Sequence, residues 1–282
     1  MSGLATRVRT GASLDRTRDA GRAALVGYLP VGYPDLAGSV EAARVLVDSG
    51  ADVIELGLPY SDPSMDGPVI QEAVEGALRA GTRTRDVLTA VEQVAAAGAS
   101  AGVAVVVMTY WNPVLRYGVD AFARDLAQAG GAGLITPDLT PDSGPEWIEA
   151  ATAHDLDRVF LVAPSSTPQR LADTVAACRG FVYAASLMGV TGERPGVGAQ
   201  AEALVGRSRA AGAERVCVGL GVSTPEQAGE VARYADGVIV GSALVRCLTT
   251  ADDAGSGRRR LAEVTQQLAD AVAGAGRPGG SP

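Results

Sequence analysis

The chain has 282 residues, 47% of them hydrophobic, with 24 basic side chains against 32 acidic ones and a formal net charge of -8. A chain this long buries roughly 75% of its unfolded surface and needs no disulfide or metal staple, and its acid excess offers no basic field to nucleic acid or an anionic membrane. Every basic residue is Arg and His154 is the sole histidine, which excludes lysine Schiff bases, covalent pyridoxal attachment and multi-histidine metal sites.

Residues 1–22 carry five Arg and no hydrophobic core, so they read as an amphipathic first helix rather than a secretory signal. Short runs rich in Val and Ile then recur at 24–29, 52–56, 103–108, 133–135, 158–162, 181–185, 215–218 and 237–240. Continuous apolar runs, unlike alternating ones, suit parallel strands buried on both faces. Between them, helical periodicity predicts helices at 36–49, 86–97, 119–129, 168–178 and 225–234. Ser223-Thr-Pro-Glu226 reads as a capping box with Pro in the first turn, and Ser166-Thr-Pro168 is similar. Gly50, Gly98, Gly130 and Gly212 follow helical segments and read as C-caps. Eight β-then-α units in ~250 residues predict an α/β fold, a single (β/α)8 TIM barrel over residues 1–273 with an extra N-terminal helix. The alternative is a doubly wound sheet, which lacks support because no GxGxxG follows the first strand. The stretch 59–80 exceeds one loop plus one helix, so a long functional loop with an extra helix from near Gly67 is expected. Residues 274–282, rich in Gly, Pro and Ser, read as a flexible tail.

Cys178, Cys217 and Cys247 are odd in number, far apart and set in apolar segments, which fits reduced, buried thiols in a cytoplasmic protein. No apolar run approaches the ~18 residues of a membrane span.

A barrel of this kind places its chemistry at the carboxyl ends of the strands. Glu55 stands in the apolar strand Val53-Ile54-Glu55-Leu56, and burying an unpaired carboxylate is costly, so it is either paired or functional. The loop behind it holds Asp62 and Asp66, in Asp-Pro and Asp-Gly steps that also serve as plain turn formers. Glycine-rich loops follow three strands: Gly189-Val-Thr-Gly192, Gly219-Leu-Gly-Val-Ser223 and Gly241-Ser242. The last two lead into helices, whose free N–H groups can hold an anion without lysine. Tyr183 reads either as a core aromatic or as a pocket hydroxyl. His154, near the opposite rim, reads as structural.

The run Glu55-Leu-Gly-Leu-Pro-Tyr-Ser-Asp-Pro-Ser-Met-Asp-Gly-Pro68 resembles the signature of the tryptophan synthase alpha subunit family. Tyr28-Leu-Pro-Val-Gly-Tyr-Pro34, Tyr110-Trp-Asn-Pro113, Pro137-Asp-Leu139, Ala163-Pro-Ser-Ser-Thr-Pro168, Ser186-Leu-Met-Gly-Val-Thr-Gly192 and the two later glycine loops follow the family's order over about residues 24–250. The resemblance implies retro-aldol cleavage of indole-3-glycerol phosphate to indole and glyceraldehyde 3-phosphate, with Glu55 as general acid/base and Asp66 on the indole N–H. It implies positioning by Tyr183, a pocket flanked by Tyr28, Tyr110 and Leu220, and phosphate held around Thr191, Gly192, Gly221, Gly241 and Ser242. It also implies a partner, a pyridoxal-phosphate beta subunit in an alpha2beta2 heterotetramer, faced by Pro63 and Asn112, and no cofactor in this chain. The composition agrees with this chemistry: with neither lysine iminium nor metal available, the substrate itself must accept the electrons, as a C3-protonated indole can. Leu187 and Met188 depart from an Arg-Ala pair frequent in the family, and Thr140 from a frequent Pro. A stand-alone indole-3-glycerol phosphate lyase and a non-catalytic regulatory barrel remain open alternatives. An indole-glycerol-phosphate synthase does not, since it is expected to need a catalytic lysine.

Overall fold

The eight apolar runs form eight parallel strands: β1 (Ala24–Pro30), β2 (Val53–Gly57), β3 (Ala104–Met108), β4 (Gly133–Thr136), β5 (Asp157–Val162), β6 (Val182–Ala185), β7 (Val216–Gly219) and β8 (Gly237–Val240). They are hydrogen-bonded in sequence order, and β8 pairs back onto β1 to close a barrel. The computed structural model describes residues 7–185, 197–219 and 221–276; Thr191, Gly192 and Leu220, and the departures at Leu187 and Met188, lie outside them. Each strand end falls within one residue of the expected position.

Twelve helices are described: α1 (Thr10–Asp19), α2 (Leu36–Asp48), α3 (Pro68–Arg79), α4 (Thr84–Gly98), α5 (Trp111–Tyr117), α6 (Val119–Gln128), α7 (Pro145–Ala153), α8 (Pro168–Ala177), α9 (Val197–Ala210), α10 (Pro225–Ala232), α11 (Ser242–Thr249) and α12 (Ala254–Gly274). The expected helix after the long β2 loop is α3, which starts with Pro68 at its first position. Three local expectations need correction. Gly98 stays inside α4, and the chain turns instead at Gly102, whose φ of 68° is left-handed, after one 3-10 turn. The cap of α10 is Thr224 rather than Ser223: Thr224 accepts from Gln227 N, and Gln227 Oε1 accepts from Ser223 N at 2.9 Å. The segment read as the third-strand loop contains the short helix α5.

Alternation along each strand sorts side chains between two cores. Val26, Val53, Val106, Ile135, Val159, Phe181, Cys217 and Ile239 fill the barrel interior. Leu25, Ile54, Val105, Leu134, Phe160, Val182, Val218 and Val238 pack outward against the helices. Helix α1 closes the amino-terminal mouth. Leu14 joins the interior cluster, close enough that a Cβ on Gly237 would sit 3.4 Å from its Cδ2. Ser13 Oγ donates to Asp52 O at 2.7 Å, and Thr10 Oγ1 donates to Asp157 Oδ2 at 2.6 Å.

Buried carboxylates on this lower rim are all paired. Asp52 accepts from Arg22 Nη1 and Nη2 at 2.7 and 2.8 Å, and Asp236 accepts from Val216 N at 2.9 Å and Arg209 at 3.2 Å. His154 also lies here and meets Asp120 Oδ1 at 2.8 Å. Leu14→Ala opens a void under the barrel and is expected to cost about 2–5 kcal/mol. Urea unfolding would read that loss, with little change in any activity housed at the other end.

Candidate active site

Strand β2 lays Glu55 beside Tyr28 of β1 and Val106 of β3, in the interior phase of the barrel. Only 1% of Glu55 is exposed, and among the described residues its Oε2 has no hydrogen-bond partner. This is the opposite of the paired carboxylates below. Burial, reinforced by the negative charge of Asp66, pushes the Glu55 carboxyl up to about 8. A neutral acid of this kind is a proton donor held ready at physiological pH.

Asp66 lies at the end of the β2 loop, immediately before Gly67, the N-cap of α3. Its backbone carbonyl accepts from Gln71 Nε2 at 2.7 Å. Burial raises its carboxyl from the ordinary value, while a hydrogen bond from the Tyr110 hydroxyl, at 3.4 Å, pulls it down. Asp62, four residues earlier, is exposed and accepts from Ser61 Oγ at 2.5 Å.

Glu55 and Asp66 share a cavity of about 370 Å³ at the carboxyl end of the barrel with Tyr28, Tyr183, Gly219, Gly221, Gly241 and Ser242. Its apolar walls are Met65, Ile70, Met108, Leu161, Ala185 and Ile239. None of these walls is singled out by the sequence; for Met108, Leu161, Ala185 and Ile239 the available signal is their interior phase near the carboxyl end of a strand, and for Met65 in the β2 loop and Ile70 on α3 there is none. Both tyrosines lie across glycines of the neighbouring strand. A Cβ on Gly57 would run into the Tyr28 hydroxyl, and one on Gly219 into that of Tyr183. The glycines thus let two rings lie flat at the cavity floor, and burial pushes both phenols well above their ordinary value, so they stay protonated.

The opposite side of the cavity is suited to an anion. Gly241 is the N-cap of α11 and has no side chain to cap it; Leu244 N donates to Gly241 O at 2.9 Å, which leaves the N–H groups of Ser242 and Ala243 to a ligand. Gly221 takes a left-handed φ of 66°, a conformation that disfavours any side chain. Three expected site residues stand apart from this cavity. Pro63 lines a smaller one of about 220 Å³ with Tyr60, Asp62, Gln71 and Glu75. Asn112 is exposed on α5, and Tyr110 directs its hydroxyl to the β2 loop. Among the described residues, no group of three or more His, Cys, Asp or Glu is placed to hold a metal ion.

A family profile described as tryptophan synthase alpha chain matches residues 14–273. The chain belongs to the tryptophan synthase alpha chain family. It is 61% identical over 264 residues to the tryptophan synthase alpha chain of Mycobacterium marinum, covering 94% of both chains. Among solved structures it is similar to tryptophan synthase from M. tuberculosis in its aminoacrylate-bound form, at 57% identity and a TM-score of 0.84, covering 94% of this chain and 99% of that one. A tryptophan synthase alpha chain from Legionella pneumophila shares 32% identity at the same TM-score, over 94% and 97% of the two chains. A fold conserved across that drop in identity is the barrel described above, and the family places the chain among lyases of tryptophan biosynthesis.

Proposed function

We propose that the chain cleaves indole-3-glycerol phosphate to indole and glyceraldehyde 3-phosphate. The observation that carries this is Glu55: a buried carboxyl with no cation paired to it among the described residues, keeping its proton to about 8, in one cavity with a second carboxylate. Glu55 delivers its proton to indole C3, giving an indoleninium that accepts the electron pair of the C3–glyceryl bond. Asp66, as carboxylate, accepts the indole N–H and stabilises the positive charge developing there. As the C–C bond breaks, the adjacent glyceryl hydroxyl becomes the aldehyde and its proton returns to Glu55, which regenerates the acid. The phosphate sits at Gly221, Gly241 and Ser242, and the walls from Met108, Leu161 and Ile239 take the indole ring. Tyr28 and Tyr183, held flat by their glycines, position the substrate between the two.

The reading extends to a beta-subunit partner that carries the pyridoxal phosphate and receives indole, in an alpha2beta2 assembly in the cytoplasm. Support comes from the rim. The exposed large hydrophobics among the described residues, Met65 at 46% and Leu115 at 48%, lie on the same two segments as Pro63 and Asn112. No helix among those residues is long and apolar enough to cross a membrane. The test is indole release from indole-3-glycerol phosphate by purified chain, alone and with a beta subunit. Slow release accelerated by the subunit is the expected result. Release at full rate without it would identify a stand-alone lyase, and no release under either condition would overturn the reading.

A further inference from the structure

Tyr110 is the N-cap residue of α5, 5% exposed, and every polar capacity of its side chain is spent on one neighbouring loop. Its hydroxyl oxygen accepts from Ser64 N at 3.1 Å and Met65 N at 3.0 Å, and its proton points to Asp66 Oδ1 at 3.4 Å. A phenol offers one donor and limited acceptor capacity, so the group is saturated by these three bonds. Its ring packs on Tyr60 of the same loop, with centroids 5.2 Å apart. Tyr110 is itself fixed from behind, because Trp111 N donates to both carboxylate oxygens of Asp138, beyond β4, at 2.9 and 3.1 Å. The loop is therefore gripped at Tyr60, at Ser64 and Met65, and at Asp66, by a single side chain anchored on the barrel.

We infer that Tyr110 is a positioning residue for Asp66: it clips the 60–66 loop to the β3 rim and aims the carboxylate into the cavity before substrate binds. This rests on Asp66 being the group that holds the indole N–H. The resemblance implies a pocket wall at Tyr110; the geometry gives it a different task, acting through Asp66. Among the described residues, the other titratable groups in the field of Asp66 are Glu55 on β2, Tyr28 on β1 and Tyr183 on β6, and of these Tyr28 also lies in the field of Tyr110.

The test is Tyr110→Phe, which keeps the ring and removes the hydroxyl, in the full chain. Carboxyl NMR titration of Asp66, amide exchange at Ser64 and Met65, and kcat and KM for indole release are measured in parallel. Loss of a bond that favours the charged carboxyl is expected to move the Asp66 titration to higher pH and to speed the two amides at least about tenfold. The value of kcat is expected to fall about tenfold, the scale of one hydrogen bond to a charged group, with KM changed less than twofold. An unchanged Asp66 titration with unchanged exchange overturns the clip, whatever the activity. A raised KM at constant kcat also overturns it, since that is the behaviour of a pocket wall. If titration and exchange shift but the parent chain cleaves no indole-3-glycerol phosphate, the clip stands and the proposed reaction fails. Should Tyr110→Phe fold poorly, Tyr60→Leu removes only the ring contact and is expected to accelerate the same amides; no acceleration there overturns the proposal.

Discussion

Glu55→Gln is expected to cut indole release by about 10³-fold, the range assigned to a positioned acid/base, and at the same time to stabilise the folded chain at pH 8. The amide keeps the shape of the carboxyl but can neither deliver nor recover the proton. The stability gain follows from linkage. In the fold Glu55 holds its proton to about 8, whereas in the unfolded chain it releases it near 4.5. Between those values the folded state binds more protons, so this group makes stability fall as pH rises. The loss is nearly complete at pH 8 and on the order of 4 kcal/mol. Glutamine carries no such slope. Urea midpoints of both proteins at pH 5 and pH 8 would show the parent chain losing more ground than the variant. The same titration sets the activity profile: the rate is expected to decline as pH rises past about 8, when the donor is lost. A variant within tenfold of the parent rate would remove Glu55 from the mechanism.

Asp66→Asn is expected to lower kcat by about 10²- to 10³-fold with a small effect on KM. Asparagine still accepts a hydrogen bond from the indole N–H, so ground-state binding survives. What is lost is a full negative charge facing a positive charge that is absent from the bound substrate and develops as C3 is protonated. A second consequence separates this role from simple misfolding. The charge of Asp66 helps hold the proton on Glu55, so its removal is expected to shift the decline of the alkaline limb to lower pH. Steady-state rates across pH 6 to 9 would reveal both effects. An alkaline limb left in place, or a loss expressed in KM, would contradict the coupling between the two carboxyls.

The strands were legible because each is apolar on both faces, a pattern that nothing but burial explains. Glu55 was legible for the same reason: one carboxylate interrupts such a run. Asp66 was harder. By composition it cannot be told from Asp62, since both sit in turn-forming dipeptides; only the fold separates the exposed Asp62, bonded to Ser61, from Asp66 turned against Tyr110. The apolar walls Met108, Leu161 and Ile239 follow the same alternation as the interior core, so the strand pattern marks them as buried without distinguishing floor from wall. The support of Tyr28 by Gly57 and of Tyr183 by Gly219 depends on register between strands, which is not local information. Helix α5 has seven residues with Pro113 among them, too few turns for a periodic signal. The glycine loops of the anion side were legible as loops. Their shared orientation toward one cavity was not.

The helix seated under the barrel turns the site into a blind-ended well. With Leu14 stoppering the lower mouth, the described residues leave no drain through the interior, so among them the cavity faces only the top rim. On the proposed reaction, substrate would enter and both fragments would leave toward that rim. A protein seated across that doorway would therefore act as a gatekeeper, receiving or detaining whatever comes out. The plug that steadies the fold thus also sets which end of the barrel is left to exchange a ligand.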